Sequence, residues 1–167
     1  MLSKDYLERG LVGMARASDA HWVEGHHGGA LIAAYYFCKE NDLPDATLNV
    51  IREQADTLVE HHRELFRPLP ASEPSSLQPI IAGIDTNIAY SCSIGHNVIF
   101  AALALKALGD LPGLATAEVT QRIRTVVESF TVGPRDDNAK KIPGVDFSEI
   151  HLEPNDDIPT YTDPEQM

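Results

Sequence analysis

Two segments of this 167-residue chain are apolar on nearly every side when they are read as helices. They span residues 27–39 and 97–108, and both are shorter than the roughly twenty apolar residues that a bilayer-spanning helix needs. A helix without a polar face is stable only where neighbouring elements cover it. The chain is therefore predicted to fold as an all-α bundle with these two helices in its core.

Four further helices are predicted around this pair. Ser3 can cap a first helix, and a proline suits the first turn of another at 79–90. Amphipathic patterns predict two longer helices at 47–66 and 117–131. Because no alternating pattern indicates a β-strand, residues 1–132 are assigned to one all-helical domain.

An internal repeat relates the two core segments. A shift of 68 residues aligns Ala33-Ala34 with Ala101-Ala102, and Leu43-Pro44 with Leu111-Pro112. Each unit then consists of a buried helix, a short turn and an amphipathic helix. This order is typical of a repeated αα-hairpin.

Both units carry glycine and histidine where the buried helix begins, as Gly25-His26-His27-Gly28-Gly29 and Gly95-His96-Asn97. In these features the chain resembles α/α-toroid and related helical-hairpin enzymes, whose apolar inner helices begin at small-residue loops that contain histidine. The resemblance is one of architecture and covers the two hairpin units. It implies toroid-like packing of inner and outer helices, with both histidine loops on the same side of the bundle.

The C-terminal region, residues 133–167, differs in composition from the rest of the chain. It holds nine acidic and three basic residues, a charge of −6 out of a total of −12. Its five prolines disfavour both helices and sheet ladders. The composition predicts either a disordered acidic tail or an extended arm that wraps its own core or a neighbouring subunit.

Charge and cysteine usage exclude several classes of protein. With 25 acidic and 13 basic residues, the chain lacks the basic surface by which proteins bind nucleic acids or anionic membranes. The charged N-terminus does not resemble a signal peptide. Cys38 and Cys92 have apolar neighbours, which favours buried free thiols in a reducing cytosol. A cytoplasmic protein that forms a homo-oligomer or a subunit of a larger assembly is expected.

His62 is the most informative of the seven histidines. It falls on the apolar stripe of the predicted helix 47–66, at the position where the sister unit has Phe130. An inward-facing imidazole needs a polar partner, because leaving it unpaired is costly. His62 is therefore either a core histidine bonded to a carbonyl or water, or a ligand or general base.

The glycine-histidine segments suggest that other histidines join His62 in one site. The candidate metal ligands are His26, His27, His62 and His96. Neutral imidazole is the commonest ligand of zinc and also suits iron, and Glu24 or Asp85 can add a carboxylate. The alternative is acid–base catalysis by His62, His96 and Asp85. In either case Asp85 and Asn97 are expected to orient the imidazoles.

Two functions from different classes are consistent with these patterns. The first is a small-molecule enzyme or binding protein, with a histidine-lined pocket at the loops that precede the two buried helices. The second is a non-catalytic helical scaffold or oligomerising subunit that uses its C-terminal tail as an interaction arm. Buried histidines beside glycine-rich loops favour the first, because they cost stability and have no evident use in a scaffold.

Overall fold

The computed structural model describes residues 2–88 and 95–130, and within them the chain forms helices and no strand. The helices are α1 (Lys4–Arg16), α2 (Gly25–Glu40), α3 (Asp45–His61), α4 (Gln78–Asp85), α5 (His96–Asp110) and α6 (Ala117–Glu128). The predicted all-α fold is confirmed for this part of the chain. No helix among the described residues is long and apolar enough to cross a membrane. The acidic tail (133–167) and Cys92 lie outside the described residues.

Glycine allows α1 and α2 to make the most extensive helix contact in the bundle. A Cβ atom added to Gly28 would lie 2.4 Å from the Met14 backbone nitrogen and 2.5 Å from the Gly10 carbonyl oxygen. Only a residue without a side chain can bring the two backbones this close. The crossing therefore holds the first turns of α2 in place against α1.

The two core helices α2 and α5 run side by side in the same direction. Gly25 faces the Phe100 ring near their N-terminal ends. Near their C-terminal ends, Lys39 Nζ donates a hydrogen bond to Asp110 Oδ2 over 2.7 Å. This register places both glycine-histidine segments at the same end of the helix pair.

Buried amides connect α4 to α5 and α6. Asn97 Nδ2 donates to Asn87 Oδ1 at 3.0 Å, and Asn87 Nδ2 donates to the Val127 carbonyl at 2.9 Å. Helix α2 packs mainly on α1, and α6 packs mainly on α4. Both contacts lie outside the predicted hairpins, so the hairpin repeat and the toroid-like packing stay predictions.

The first histidine segment begins its helix earlier than the sequence predicted. A 3₁₀ turn, Trp22–Glu24, leads directly into α2 at Gly25, two residues before the predicted start. His96 is likewise the first residue of α5, preceded by Gly95 with a φ of 80°. The predicted histidine loops are thus helical first turns.

Helix α3 ends earlier than predicted, at His61 instead of Phe66. His62 leaves the helical conformation with φ −114° and ψ 34°. The following residues form turns up to the bend before Pro68. His62 consequently caps the C-terminal end of α3.

Candidate functional site

The start of α2 and the end of α3 bring Glu24, His27 and His62 together. Glu24 precedes His27 by three residues, so their side chains project from the same side of the chain. Glu24 Oε2 lies 3.6 Å from His27 Nε2, and the His27 and His62 rings stack with their centroids 3.7 Å apart. One possible ligand atom from each residue lies within 4.8 Å of the other two. We call these three half-buried residues the α2–α3 triad.

A small apolar core supports the α2–α3 triad. Leu31 of α2, Ala55 of α3 and Phe66 are buried together. Leu31 lies one helical turn after His27 and therefore on the same face of α2. Packing between the two helices thus fixes the position from which His27 meets His62.

Electrostatics favour the neutral form of His27. Burial lowers the pKa of His27, and the neighbouring charge of His62 lowers this pKa further, whereas Glu24 acts in the opposite direction. Two protonated imidazoles stacked at 3.7 Å would also repel each other. The neutral ring keeps a nitrogen lone pair, which is the form that binds transition metals.

His26 and His96 belong to a different group of side chains. Their rings meet edge-to-face with centroids 4.9 Å apart, and each ring also contacts Trp22 and Phe100. Phe130, only 1% exposed, lies 5.0 Å from Trp22 and 5.2 Å from Phe100. We call these five residues the aromatic cluster.

A backbone hydrogen bond orients His26 within the aromatic cluster. His26 Nδ1 lies 2.8 Å from the Val23 carbonyl oxygen. Because a carbonyl can only accept, Nδ1 carries the proton and donates it to this bond. Nε2 of the exposed His26 ring is then the unprotonated nitrogen in the neutral form.

Two imidazoles and one carboxylate are a common donor set for catalytic metals. Zinc enzymes use two histidines with a glutamate, and non-haem Fe(II) oxygenases use two histidines with a carboxylate. In the described part of the chain, the α2–α3 triad is the one group of three or more such ligands within metal-binding distance.

Comparison with protein families, curated proteins and solved structures found no match to this chain.

The four predicted histidine ligands are divided between the two groups. Successive residues of an α-helix point about 100° apart, so His26 and His27 cannot face the same neighbour. His27 faces α3 and stacks on His62, whereas His26 faces α5 and packs on His96. The described residues therefore show two histidine pairs in place of the single predicted pocket.

The predicted partners Asp85 and Asn97 lie elsewhere. Asp85 is exposed at the last residue of α4, and its carboxylate forms no hydrogen bond or ion pair with a described residue. Asn97 is fully buried and donates to Asn87 instead of to a histidine. Among the described residues, Glu24 is the carboxylate that reaches a histidine pair, and it is one of the two carboxylates that the sequence suggested.

Sequence reasoning did not find the aromatic cluster. Phe130 was considered only as the counterpart of His62 in the repeat. Phe100 was one of many apolar residues in a core helix. Trp22 and His26, and likewise His96 and Phe100, are four residues apart and meet locally, whereas the contacts of Phe130 with Trp22 and Phe100 depend on how the helices pack.

Proposed function

We propose that the α2–α3 triad binds one divalent transition metal, Zn²⁺ or Fe²⁺, and that the protein is a small-molecule enzyme or binding protein that works through this metal. The donor set carries this proposal, because two imidazoles and a carboxylate offer ligand atoms within 4.8 Å of one another. Metal–ligand bonds of about 2.1 Å place tetrahedral ligand atoms about 3.4 Å apart. The 3.6 Å between Glu24 Oε2 and His27 Nε2 is already close to this separation.

The composition of the triad suggests what the metal would do. Three protein ligands leave at least one coordination position for water or a small molecule. A metal held there would supply Lewis-acid chemistry and lower the pKa of a bound water. Within this proposal His62 is a ligand, and neither His96 nor Asp85 takes part in metal binding.

Metal titration of the full-length chain tests the proposal. Metal-free protein without a polyhistidine tag is titrated with Zn²⁺ in competition with a chromophoric chelator, and with Fe²⁺ under anaerobic conditions. We expect one metal ion per chain. His62→Phe, which introduces the residue of the sister unit, should keep the helical circular dichroism and weaken binding by at least about 100-fold, because it removes a direct ligand.

A matched control is provided by the neighbouring histidine. His61 is exposed and lies outside the triad, so His61→Phe should bind metal like the unmodified protein. Equal binding by His62→Phe and the unmodified protein would refute the proposal. So would a loss of binding caused by His26→Ala but not by His27→Ala.

Self-association is the second candidate function, and the surfaces of the core helices favour it. Phe37 of α2 and Ile99 of α5 are each 51% exposed. Exposed apolar residues that form a continuous patch are typical of surfaces that bind another protein, and we propose that Phe37 and Ile99 belong to such a patch. Sedimentation of the full-length chain should then show a dimer or larger species that Phe37→Ser and Ile99→Ser weaken. A monomer at all concentrations would exclude this function.

A further inference from the structure

A groove of about 740 Å³ lies between α1, the end of α3 and the connection from α3 to α4. Its volume is within the range of small-molecule pockets, about 300–1,000 Å³. Its apolar lining residues are Val12, Val59, Phe66, Leu69, Leu114 and Val119. None of the triad residues lines this groove, so it is a site separate from the proposed metal centre.

The connection that walls the groove is long, and its middle is held by hydrogen bonds to α1 and α6. It spans the sixteen residues 62–77, and connections of this length without regular structure usually have a function. Arg16 Nε donates to the Arg67 carbonyl over 2.7 Å, and Ser72 Oγ accepts from the Glu118 backbone N–H over 2.9 Å. Because this wall is already ordered, it loses little conformational entropy when a ligand binds.

Three charged side chains of α1 line the groove. Glu8 and Arg9 follow Asp5 by three and four residues, so each of them is a neighbour of Asp5 on the helix surface. None of these side chains makes an ion pair or hydrogen bond with a described residue. The other arginines of the groove, Arg63 and Arg67, are already paired with glutamates. Arg9 is therefore the cation that a ligand can use.

We propose that this groove binds a dipeptide with apolar side chains and free termini. Its carboxylate pairs with Arg9, its ammonium group pairs with Asp5 or Glu8, and its side chains contact the apolar lining. A purely anionic ligand would meet the two acidic groups, and a purely cationic ligand would meet Arg9. A zwitterion is the ligand class that pairs with Arg9 and with one of the two acidic groups at the same time.

The spacing of the charges selects the length of the peptide. Residues four apart on a helix have Cβ atoms about 6 Å apart. An extended chain spans about 3.4 Å per residue, so the charged ends of a dipeptide are about 7 Å apart. A single amino acid, whose two charges share one carbon, bridges this distance poorly.

Binding of Leu-Leu to the full-length chain tests the inference, measured by calorimetry and by changes in NMR spectra. We expect saturable binding, about fivefold weaker for Leu-Leu amide, which lacks the carboxylate, because an accessible ion pair contributes about this factor. N-acetyl-Leu-Leu should bind more weakly than Leu-Leu, because it lacks the ammonium group. Ser-Ser should not bind detectably, because it cannot bury apolar surface.

Substitutions of charged residues test whether these differences in binding arise in the groove. Arg9→Gln should make Leu-Leu and its amide bind equally, and Glu8→Gln should reduce the preference for the free ammonium group. Arg52→Gln is the matched control, since Arg52 is an exposed arginine of α3 outside the groove, and it should change neither preference.

Three results would overturn the inference: no saturable binding of Leu-Leu, equal binding of all four compounds, or an unchanged preference for the carboxylate in Arg9→Gln. Binding of Leu-Leu is expected to be independent of the proposed metal site. His62→Phe should bind Leu-Leu as the unmodified chain does, whether or not the triad binds metal.

Discussion

The two histidine pairs at the start of α2 differ in what surrounds them. His27 and His62 stack face-to-face, next to the carboxylate of Glu24 and partly open to solvent. His26 and His96 meet edge-to-face among aromatic rings, two of which are almost fully buried. The difference teaches that the neighbours of an imidazole, and not its place in the sequence, decide whether the ring lies beside a carboxylate or among aromatic rings.

The largest effect is expected from breaking the aromatic cluster. Phe100 is 2% exposed and contacts both Phe130 and His26, so Phe100→Ala should lower the free energy of unfolding by about 4 kcal/mol. Urea unfolding of the metal-free protein measures this loss. Phe37→Ala, at an exposed phenylalanine of α2, should cost less than about 1 kcal/mol. Similar losses for both variants would show that the cluster does not support the fold.

Displacing the start of α2 should disrupt the contacts of both histidine pairs and destabilise the protein. Gly28→Ala places a methyl group against the α1 backbone, which cannot move aside as a side chain can, and should cost about 3 kcal/mol. Thermal and urea unfolding report this change. Gly109→Ala is the control, because no atom lies within 4 Å of the added Cβ, and it should stabilise α5 by about 0.5–1 kcal/mol. A stable Gly28→Ala protein would contradict the close crossing of α1 and α2.

Replacing one carboxylate should change metal binding at the proposed site without changing the stability of the fold. Glu24→Gln should weaken Zn²⁺ binding by about 10- to 100-fold, because the amide oxygen is a poorer ligand than a carboxylate. Because the Glu24–His27 pair is partly exposed, the free energy of unfolding of the metal-free protein should change by less than about 1 kcal/mol. Asp85→Asn should leave Zn²⁺ binding unchanged. Weaker binding in Asp85→Asn would restore Asp85 as a member of the site.

The smallest effect concerns the protonation of the stacked pair. Because the folded-state pKa of His27 is lowered, the unfolded chain binds a proton more readily than the folded chain. This contribution to stability is complete above the unfolded pKa of about 6.5 and is lost as the pH falls from there to the folded pKa. His27→Gln should make the stability of the metal-free protein less dependent on pH in this window. His61→Gln should not, and equal effects of the two variants would contradict the assignment.

The all-α fold and the order of its helices were predictable from local patterns. Apolar residues at helical spacing, with turns at Leu-Pro and glycine, identified every described helix to within a few residues. Helix formation depends mainly on neighbours in sequence and on an apolar face to bury, and both can be read along the chain. Glu24 and the histidines were also recognisable as candidate metal ligands by residue type.

The partner of each histidine was decided only by the tertiary structure. Successive residues of a helix point about 100° apart, so the way in which α2 packs against α3 and α5 determines that His27 meets His62 and His26 meets His96. Asp85 faces solvent because α4 ends there. The groove has no sequence signal of its own, because its walls come from segments far apart in the chain. Residue type and helix position are local properties, whereas the direction of a side chain and its neighbours are set by how the helices pack.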